Sequence, residues 1–288
     1  MKQLNLFIEL TRLNSPIGYM LLFWPCLWGL TLVYDFNYEI NTYFKYIIFF
    51  LLGSILMRSA GCIVNDITDK KFDQKVSRTK NRPIASGKIK INLALLYTLL
   101  LCFCAFIVLI NFNLLTIILA LASMPFAFTY PLVKRFTYWP QFFLGITFNY
   151  GLLLAWISIS KDLNLIPIVF YFGAIFWTLG YDTIYGYQDI KDDEIIGVKS
   201  TSIKFKNSPK TFLTICYSIF LISILLVGVL MQFGSIYYLT VLVTFFHLFF
   251  YQIKLLNIKF PENCLKIFKS NNILGLIIYI NIIVGKLF

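Results

Sequence analysis

Charged residues are scarce in this chain of 288 residues. Asp, Glu, Lys and Arg together make up 13%, whereas about a quarter is usual in a soluble domain. Acidic residues number only 13, and histidine occurs once. Low hydrophobicity and high charge coincide only in one stretch after the second apolar run, which excludes a disordered chain. The six cysteines include no C-x-x-C pair, so neither a zinc centre nor a disulfide framework is indicated.

Apolar residues dominate instead, at 59% of the chain with a mean hydropathy of +0.78. A membrane-spanning helix needs about 20 mostly apolar residues. The sequence therefore predicts an all-α polytopic membrane protein, a single domain over residues 1–288 with nine transmembrane helices. A short amphipathic helix within residues 1–13 is predicted to lie at the membrane interface. The nine predicted spans are residues 16–34, 43–66, 92–110, 114–132, 140–160, 164–188, 210–231, 235–254 and 271–287.

The net charge of +12 is distributed unevenly along the chain. Nucleic acid is not an expected partner, because the basic residues are not concentrated on a solvated domain. Of the 25 lysines and arginines, 21 lie at the N-terminus, in the loops after the even-numbered spans or at the span ends that adjoin these loops. The positive-inside rule therefore predicts that these segments are cytoplasmic, including the loops 67–91 and 189–209, and that Phe288 lies on the opposite side.

Most acidic residues fall in two short segments, at the ends of the second and sixth predicted spans. These residues are Asp66, Asp69, Asp73, Asp182, Asp189, Asp192, Asp193 and Glu194. Ionisable residues at membrane depth are costly and are candidates for function. In the first segment, Asn65, Asp69 and Asp73 have the spacing i, i+4, i+8, which places them on one face of a helix.

The second segment has a matching stripe, in which Asp182, Asp189 and Asp193 have the spacing i, i+7, i+11. Two such stripes facing each other would repel unless a cation lay between them. Ligation by oxygen atoms alone selects a hard ion such as Mg²⁺, which characteristically binds one or two carboxylates and substrate phosphates. The alternative is that these are solvated loop charges paired with nearby lysines.

Basic residues lie beside both acidic segments. Arg78, Lys80 and Arg82 follow the second span, where they either contact anionic lipid or, next to a metal, hold a diphosphate. Tyr130 and Lys134, spaced i, i+4, either act on one group or form an interfacial aromatic with a snorkelling lysine.

Arg58 is the only basic residue well inside a predicted helix and away from its cytoplasmic end. It precedes Asn65 by two helical turns, about 10 Å, and shares its face. A guanidinium at that depth needs an anion. Asp182, at comparable depth, and a bound carboxylate are the two candidates.

Five motifs complete the pattern. They are G-C-I-V-N-D-I-T-D-K-K-F-D, R-T-x-N-R-P-I-A-S-G, Y-P-L-V-K-R, Y-D-T-x-Y-x-x-x-D-x-x-D-D and G-V-K-S-T-S. Through them the chain resembles, from end to end, the UbiA superfamily of intramembrane prenyltransferases, and within it the bacterial 4-hydroxybenzoate polyprenyltransferases. One departure is Ser15, where the family often has lysine.

The resemblance implies nine helices around a central cavity in the bacterial inner membrane. It also implies transfer of a polyprenyl group from an allylic diphosphate, with Mg²⁺, to the carbon ortho to the hydroxyl of 4-hydroxybenzoate in ubiquinone biosynthesis. The implied metal ligands are Asn65, Asp69, Asp73, Asp189 and Asp193. The other implied site residues are Asp182 on the acceptor side, Tyr130 and Lys134 near the diphosphate, and Arg58 and Arg78 flanking the first motif.

Three alternatives stay open at this point. A member of the same superfamily could use another aromatic acceptor. A cation-coupled transporter would place its acids nearer mid-membrane, on discontinuous helices in repeated halves. A CDP-alcohol phosphotransferase would carry a D-G-x-x-A-R motif, which this sequence lacks.

Overall fold

The structure, a computed structural model, describes residues 2–288 apart from the side chains of Lys2 and Tyr130. Throughout that part, every regular element is a helix. The helices are α1 Lys2–Thr11, α2 Ile17–Val33, α3 Ile40–Thr68, α4 Lys70–Asp73, α5 Ile91–Leu109, α6 Leu114–Val133, α7 Pro140–Ser160, α8 Leu165–Gly186, α9 Ile190–Ile196, α10 Thr201–Lys204, α11 Pro209–Leu230, α12 Ser235–Phe245 with a π-helical continuation Phe246–Lys254, and α13 Pro261–Leu287.

Eight of the described helices are long and apolar enough to cross a membrane, with α12 and its continuation counted as one. The chain is therefore an all-helical membrane protein, as predicted. The predicted number of nine spans is not confirmed, because the remaining apolar helix, α2, has only 17 residues.

Three predicted segments differ from the structure. The last helix begins at Pro261, not at residue 271, because its first ten residues include three charged side chains that an apolar-run criterion passes over. A proline suits the first turn of a helix, where no backbone donor is needed. The predicted loops 67–91 and 189–209 are not wholly irregular either, since the first contains α4 and the second contains α9 and α10.

Aromatic side chains fill the centre of the bundle, between α2, α8, α11 and α13. The ring centroids of Trp28 and Trp177 are 5.0 Å apart, and Phe220 packs against both. Each indole also finds a hydrogen-bond acceptor, since Trp28 donates to the carbonyl of Gly275 at 3.0 Å and Trp177 donates to Asn271 at 2.8 Å. Buried indole donors generally require such partners, so these bonds help fix α2 and α8 against α13.

A small apolar cluster holds the charged connections at one end of the bundle. Leu10 of α1, Ile63 of α3, Ile84 and Ile89 of the loop before α5, and Ala94 of α5 pack together. We call the end of the bundle that carries α1, α4, α9 and α10 the polar end. The cluster fixes the loop between α4 and α5 against α3, so that the basic residues of this loop have defined positions.

Candidate active site

A cavity of about 560 Å³ opens at the polar end of the bundle. Its wall is formed by residues of α2, α3, α7 and α8, the loop after α4, and α9. The cavity brings together the residues that the sequence singled out, namely Arg58, Asn65, Asp69, Asp73, Arg78, Lys134, Asp182, Asp189 and Asp193. Tyr130 lies in α6, but its side chain is outside the described part of the structure.

The first acidic stripe is continuous because α3 passes almost directly into α4. The backbone amide of Asp69 donates to the carbonyl of Asn65 at 2.9 Å, and that of Asp73 donates to the carbonyl of Asp69 at 2.8 Å. These bonds preserve the four-residue spacing across the junction, so the three side chains share one face. The carboxylate of Asp69 forms an ion pair with Lys134, while that of Asp73 lies 2.9 Å from Arg82.

Asp66 has a different environment from its neighbours in the same motif. Its carboxylate is buried, 2.5 Å from Arg12 and 3.2 Å from Arg82. The two arginines line the cavity, whereas Asp66 does not. Asp66 therefore anchors two guanidinium groups at the wall of the cavity, and through Arg82 it is linked to Asp73.

The second acidic stripe lies where α8 passes into α9. Arg78 donates to Asp189, with Nε 2.8 Å from Oδ1, and also to the hydroxyl of Tyr185 at 3.1 Å. Asp192 accepts a hydrogen bond from the backbone amide of Ser77 at 3.0 Å. These contacts tie α9 to the loop after α4 across the mouth of the cavity.

Two carboxylates at the mouth of the cavity have raised pKa values. Burial, together with the neighbouring charge of Asp189, raises the pKa of Asp193 to about 6, although Lys134 and Arg78 act in the opposite direction. Burial likewise raises the pKa of Asp69 against the effect of Lys134. Burial is the larger cause, but the charge of Asp189 also opposes the ionisation of Asp193, and a cation bound beside both carboxylates would relieve that repulsion.

The deep end of the cavity contains Arg58 and Asp182, on α3 and α8. The positive charge of Arg58 stabilises the negative charge of the Asp182 carboxylate. Gly18 of α2 makes room for the guanidinium, because a β-carbon at that position would lie only 2.9 Å from Nε of Arg58. On another side, the guanidinium carbon of Arg58 lies 5.5 Å from the centre of the Phe148 ring.

The acidic residues suit Mg²⁺ bound together with a phosphate. No three His, Cys, Asp or Glu side chains form a compact metal cluster among the described residues. Mg²⁺ does not need one, since it commonly takes one or two carboxylates and completes its shell with water and substrate phosphates. One carboxylate oxygen is available, because Oδ1 of Asp69 is buried and has no hydrogen-bond partner.

Arg12 and Lys199 line the cavity but were not predicted from the sequence. Arg82 also lines the cavity, as expected for a residue of the basic loop after the second predicted span. Arg12 follows α1 with a φ of 56°, and its side chain reaches Asp66. No pattern in the sequence predicts this backbone turn.

Comparison with known proteins identifies the family of the chain. The family described as UbiA prenyltransferase matches residues 22–274. The chain belongs to the UbiA prenyltransferase family. Its relatives include the 4-hydroxybenzoate octaprenyltransferase of Nitrosomonas eutropha, 37% identical over 99% of this chain and 98% of that protein. The mitochondrial 4-hydroxybenzoate polyprenyltransferase of Bos taurus is 40% identical over 99% of this chain and 76% of that protein.

Solved structures of UbiA homologues share the fold. A homologue from Aeropyrum pernix aligns with a TM-score of 0.76 over 93% of this chain and 97% of that one, at 19% identity. A homologue from Archaeoglobus fulgidus, bound to GPP and Mg²⁺, aligns with a TM-score of 0.71 over 97% and 98%, at 17% identity. The family and the fold predicted from the motifs are thus confirmed.

Proposed function

We propose that this UbiA-family protein transfers a polyprenyl group from an allylic polyprenyl diphosphate to the ring carbon ortho to the hydroxyl of 4-hydroxybenzoate. The observation that carries the proposal is that one cavity contains both acidic stripes and several basic residues. The same cavity contains Arg58 and Asp182 at its deep end. The relatives named above, which span nearly all of this chain, act on 4-hydroxybenzoate by name.

The mouth of the cavity suits a diphosphate bound with Mg²⁺. Asn65, Asp69, Asp73, Asp189 and Asp193 would hold the metal. Bound Mg²⁺ would supply positive charge that stabilises the departing diphosphate.

Two ion pairs would be exchanged as the substrate binds. Lys134 and Asp69 neutralise each other in the structure, as do Arg78 and Asp189. Bound Mg²⁺ would be the partner of Asp69 and Asp189, and the phosphate oxygens of the diphosphate would accept hydrogen bonds from Lys134 and Arg78. Tyr130 remains part of the proposed diphosphate site through its spacing with Lys134.

The deep end suits the aromatic acceptor. Arg58 would bind the carboxylate of 4-hydroxybenzoate, and Asp182 would accept the proton released when the ring carbon forms its new bond. Leu144, Phe148 and Phe268 also line the cavity and would limit the access of water to an allylic cation. Charged groups at this depth are costly, which makes Arg58 and Asp182 candidates for function.

We also propose a bacterial inner-membrane location with the polar end in the cytoplasm. The basic loops around the cavity support this orientation through the positive-inside rule. The diphosphate head would then enter the mouth of the cavity from the cytoplasmic interface, while the apolar tail stays within the membrane. Membrane lipid is accordingly a proposed partner.

The proposal is tested by incubating membranes that contain the protein with 4-hydroxybenzoate, prenyl diphosphates of several lengths and Mg²⁺. We expect 3-polyprenyl-4-hydroxybenzoate, identified by mass, and no product when EDTA removes the divalent metal. Undiminished turnover in excess EDTA would contradict the metal assignment. Turnover of a different aromatic acceptor without turnover of 4-hydroxybenzoate would contradict the substrate assignment.

A further inference from the structure

α13 also contributes to the wall of the active-site cavity, and it brings a lysine to that wall. Leu265, Phe268 and Lys269 all line the cavity. Their spacing is i, i+3, i+4, which puts the three side chains on one face of the helix. Lys269 lies in the third turn of α13 and is exposed, so a ligand in the cavity can reach its ammonium group.

Within the described part of the structure, Lys269 forms no hydrogen bond, ion pair or ring contact. Every other basic residue described in the cavity wall contacts a carboxylate, a backbone carbonyl or an aromatic ring. These residues are Arg12, Arg58, Arg78, Arg82, Lys134 and Lys199. An ammonium group forms its strongest hydrogen bonds with carboxylate and phosphate oxygens. Lys269 can bind such an anion without first breaking a contact inside the protein.

Contacts of the preceding residue link this part of α13 to the mouth of the cavity. The ring centroid of Phe268 lies 4.6 Å from that of Tyr185. The hydroxyl of Tyr185 accepts a hydrogen bond from Arg78, which also donates to Asp189 of the second acidic stripe. Side chains of a helix lean toward its N-terminus, which for α13 is the polar end, and a lysine extends its charge toward water. Lys269 is therefore placed to act at the proposed diphosphate site.

Ser15, just before α2, lines the same cavity, and it is the position at which the family often has lysine. α2 and α13 run side by side in the same direction, because Trp24 donates to Asn272 at 2.9 Å and Trp28 donates to the carbonyl of Gly275 at 3.0 Å. Counting back along both helices from these bonds places residue 269 within about two helical turns of position 15. A lysine at either position would thus bring its charge to the same part of the cavity.

We propose that Lys269 donates a hydrogen bond to an oxygen of the bound diphosphate and so supplies, from α13, the positive charge that this chain lacks at position 15. The proposal rests on the proposed function, because it takes a prenyl diphosphate as the substrate. It adds a residue that binds the head of the donor and that lies outside both acidic segments and the basic loop after α4.

The test is the Lys269→Met variant, which keeps an unbranched side chain and removes its charge. Purified protein in lipid nanodiscs is titrated, with Mg²⁺, with unreactive geranyl thiolodiphosphate. We expect binding to weaken about tenfold, because one hydrogen bond between charged groups is lost. Binding of 4-hydroxybenzoate, measured with the thiolodiphosphate at saturation, should stay within about twofold of wild type, because Lys269 acts on the donor.

Lys266→Met is the matched control. Lys266 lies three residues earlier on α13, is exposed and does not line the cavity. This variant loses the same charge, so an effect of net charge alone would appear in both variants. We expect Lys266→Met to bind the thiolodiphosphate as the wild type does. Thermal unfolding in the same nanodiscs checks that each variant is folded, which we expect because both lysines are exposed.

A second variant tests the link with position 15. Ser15→Lys, introduced into Lys269→Met, returns a positive charge to the same part of the cavity from α2. We expect this double variant to recover most of the lost affinity for the thiolodiphosphate. A merely structural role of Lys269 would not be restored by a lysine on another helix.

Each outcome has a definite meaning. Unchanged binding of the thiolodiphosphate in folded Lys269→Met would overturn the proposal, and so would an equal loss in Lys266→Met. Weaker binding of 4-hydroxybenzoate alone would assign Lys269 to the acceptor and would also overturn it. No recovery in the double variant would refute the equivalence of positions 15 and 269. Failure of the wild type to bind the thiolodiphosphate would instead refute the proposed function.

Discussion

The position of Arg58 can be tested through its neighbour Gly18, by a change that adds one methyl group. In Gly18→Ala the new β-carbon would lie 2.9 Å from Nε of Arg58, about 0.5 Å closer than ordinary van der Waals contact begins. The arginine side chain can move more easily than α2, so we expect the fold to remain intact and the guanidinium to shift away from its present position.

The expected effect is a selective loss of acceptor binding. A hydrogen bond to a charged group is worth about 1.5–3 kcal/mol, and a displacement of this size should cost part of it, about 1 kcal/mol. The KM for 4-hydroxybenzoate should then rise about fivefold, while the KM for the prenyl diphosphate stays unchanged. Complete removal in Arg58→Ala should raise the KM for the acceptor about 10- to 100-fold.

The assay is steady-state product formation, with each substrate varied at saturating concentration of the other. Leu52→Ala is the control, because Leu52 lies on the neighbouring helix α3, is 43% exposed and does not line the active-site cavity. Equal changes in KM for both substrates in Gly18→Ala would refute the assignment of Arg58 to the acceptor. An unchanged KM for 4-hydroxybenzoate in both Gly18→Ala and Arg58→Ala would refute it as well.

Three further predictions follow from the charged groups. Asp69→Ala and Asp193→Ala should each abolish turnover while the protein still folds, although Asp69→Ala should also lower the melting temperature because it removes the buried partner of Lys134; wild-type activity in both variants would refute their role in binding the metal. Asp66→Asn should lower the melting temperature measurably, because removing one partner of a buried ion pair costs about 3–5 kcal/mol at full burial and less beside the partly exposed arginines; an unchanged melting temperature would contradict the anchoring role. A topology reporter inserted after Lys80 should be cytoplasmic and one fused after Phe288 should be periplasmic, and a cytoplasmic reading at Phe288 would mean that the number of spans is even.

Much of the site was accessible to sequence reasoning because helical spacing carries geometric information. Asn65, Asp69 and Asp73 lie on one face since the helical hydrogen bonds continue from α3 into α4. Arg58 lies two turns deeper for the same reason. The residue spacing within each motif also indicated the family, because the same spacing produces the same local helix geometry.

Pairings across the chain were not accessible in this way. Lys134 and Asp69 are 65 residues apart, and Arg12 and Asp66 are 54 apart. A spacing rule gives the face of one helix but not the helix that it meets, so the sequence left open whether the acids pair with neighbouring lysines or with distant basic residues. The structure selects distant partners for Asp66, Asp69 and Asp189.

By itself, the sequence determined that this protein is all-helical and spans a membrane, because apolar runs of this length have no other stable form in lipid. It also determined which acidic residues share a face. Only the tertiary structure decided that both acidic stripes line one cavity, and that Arg58 and Phe148 line both this cavity and a second, apolar one. The reason is that a cavity forms between helices, where side chains that are distant in sequence leave space unfilled. No local sequence pattern predicts which side chains these are.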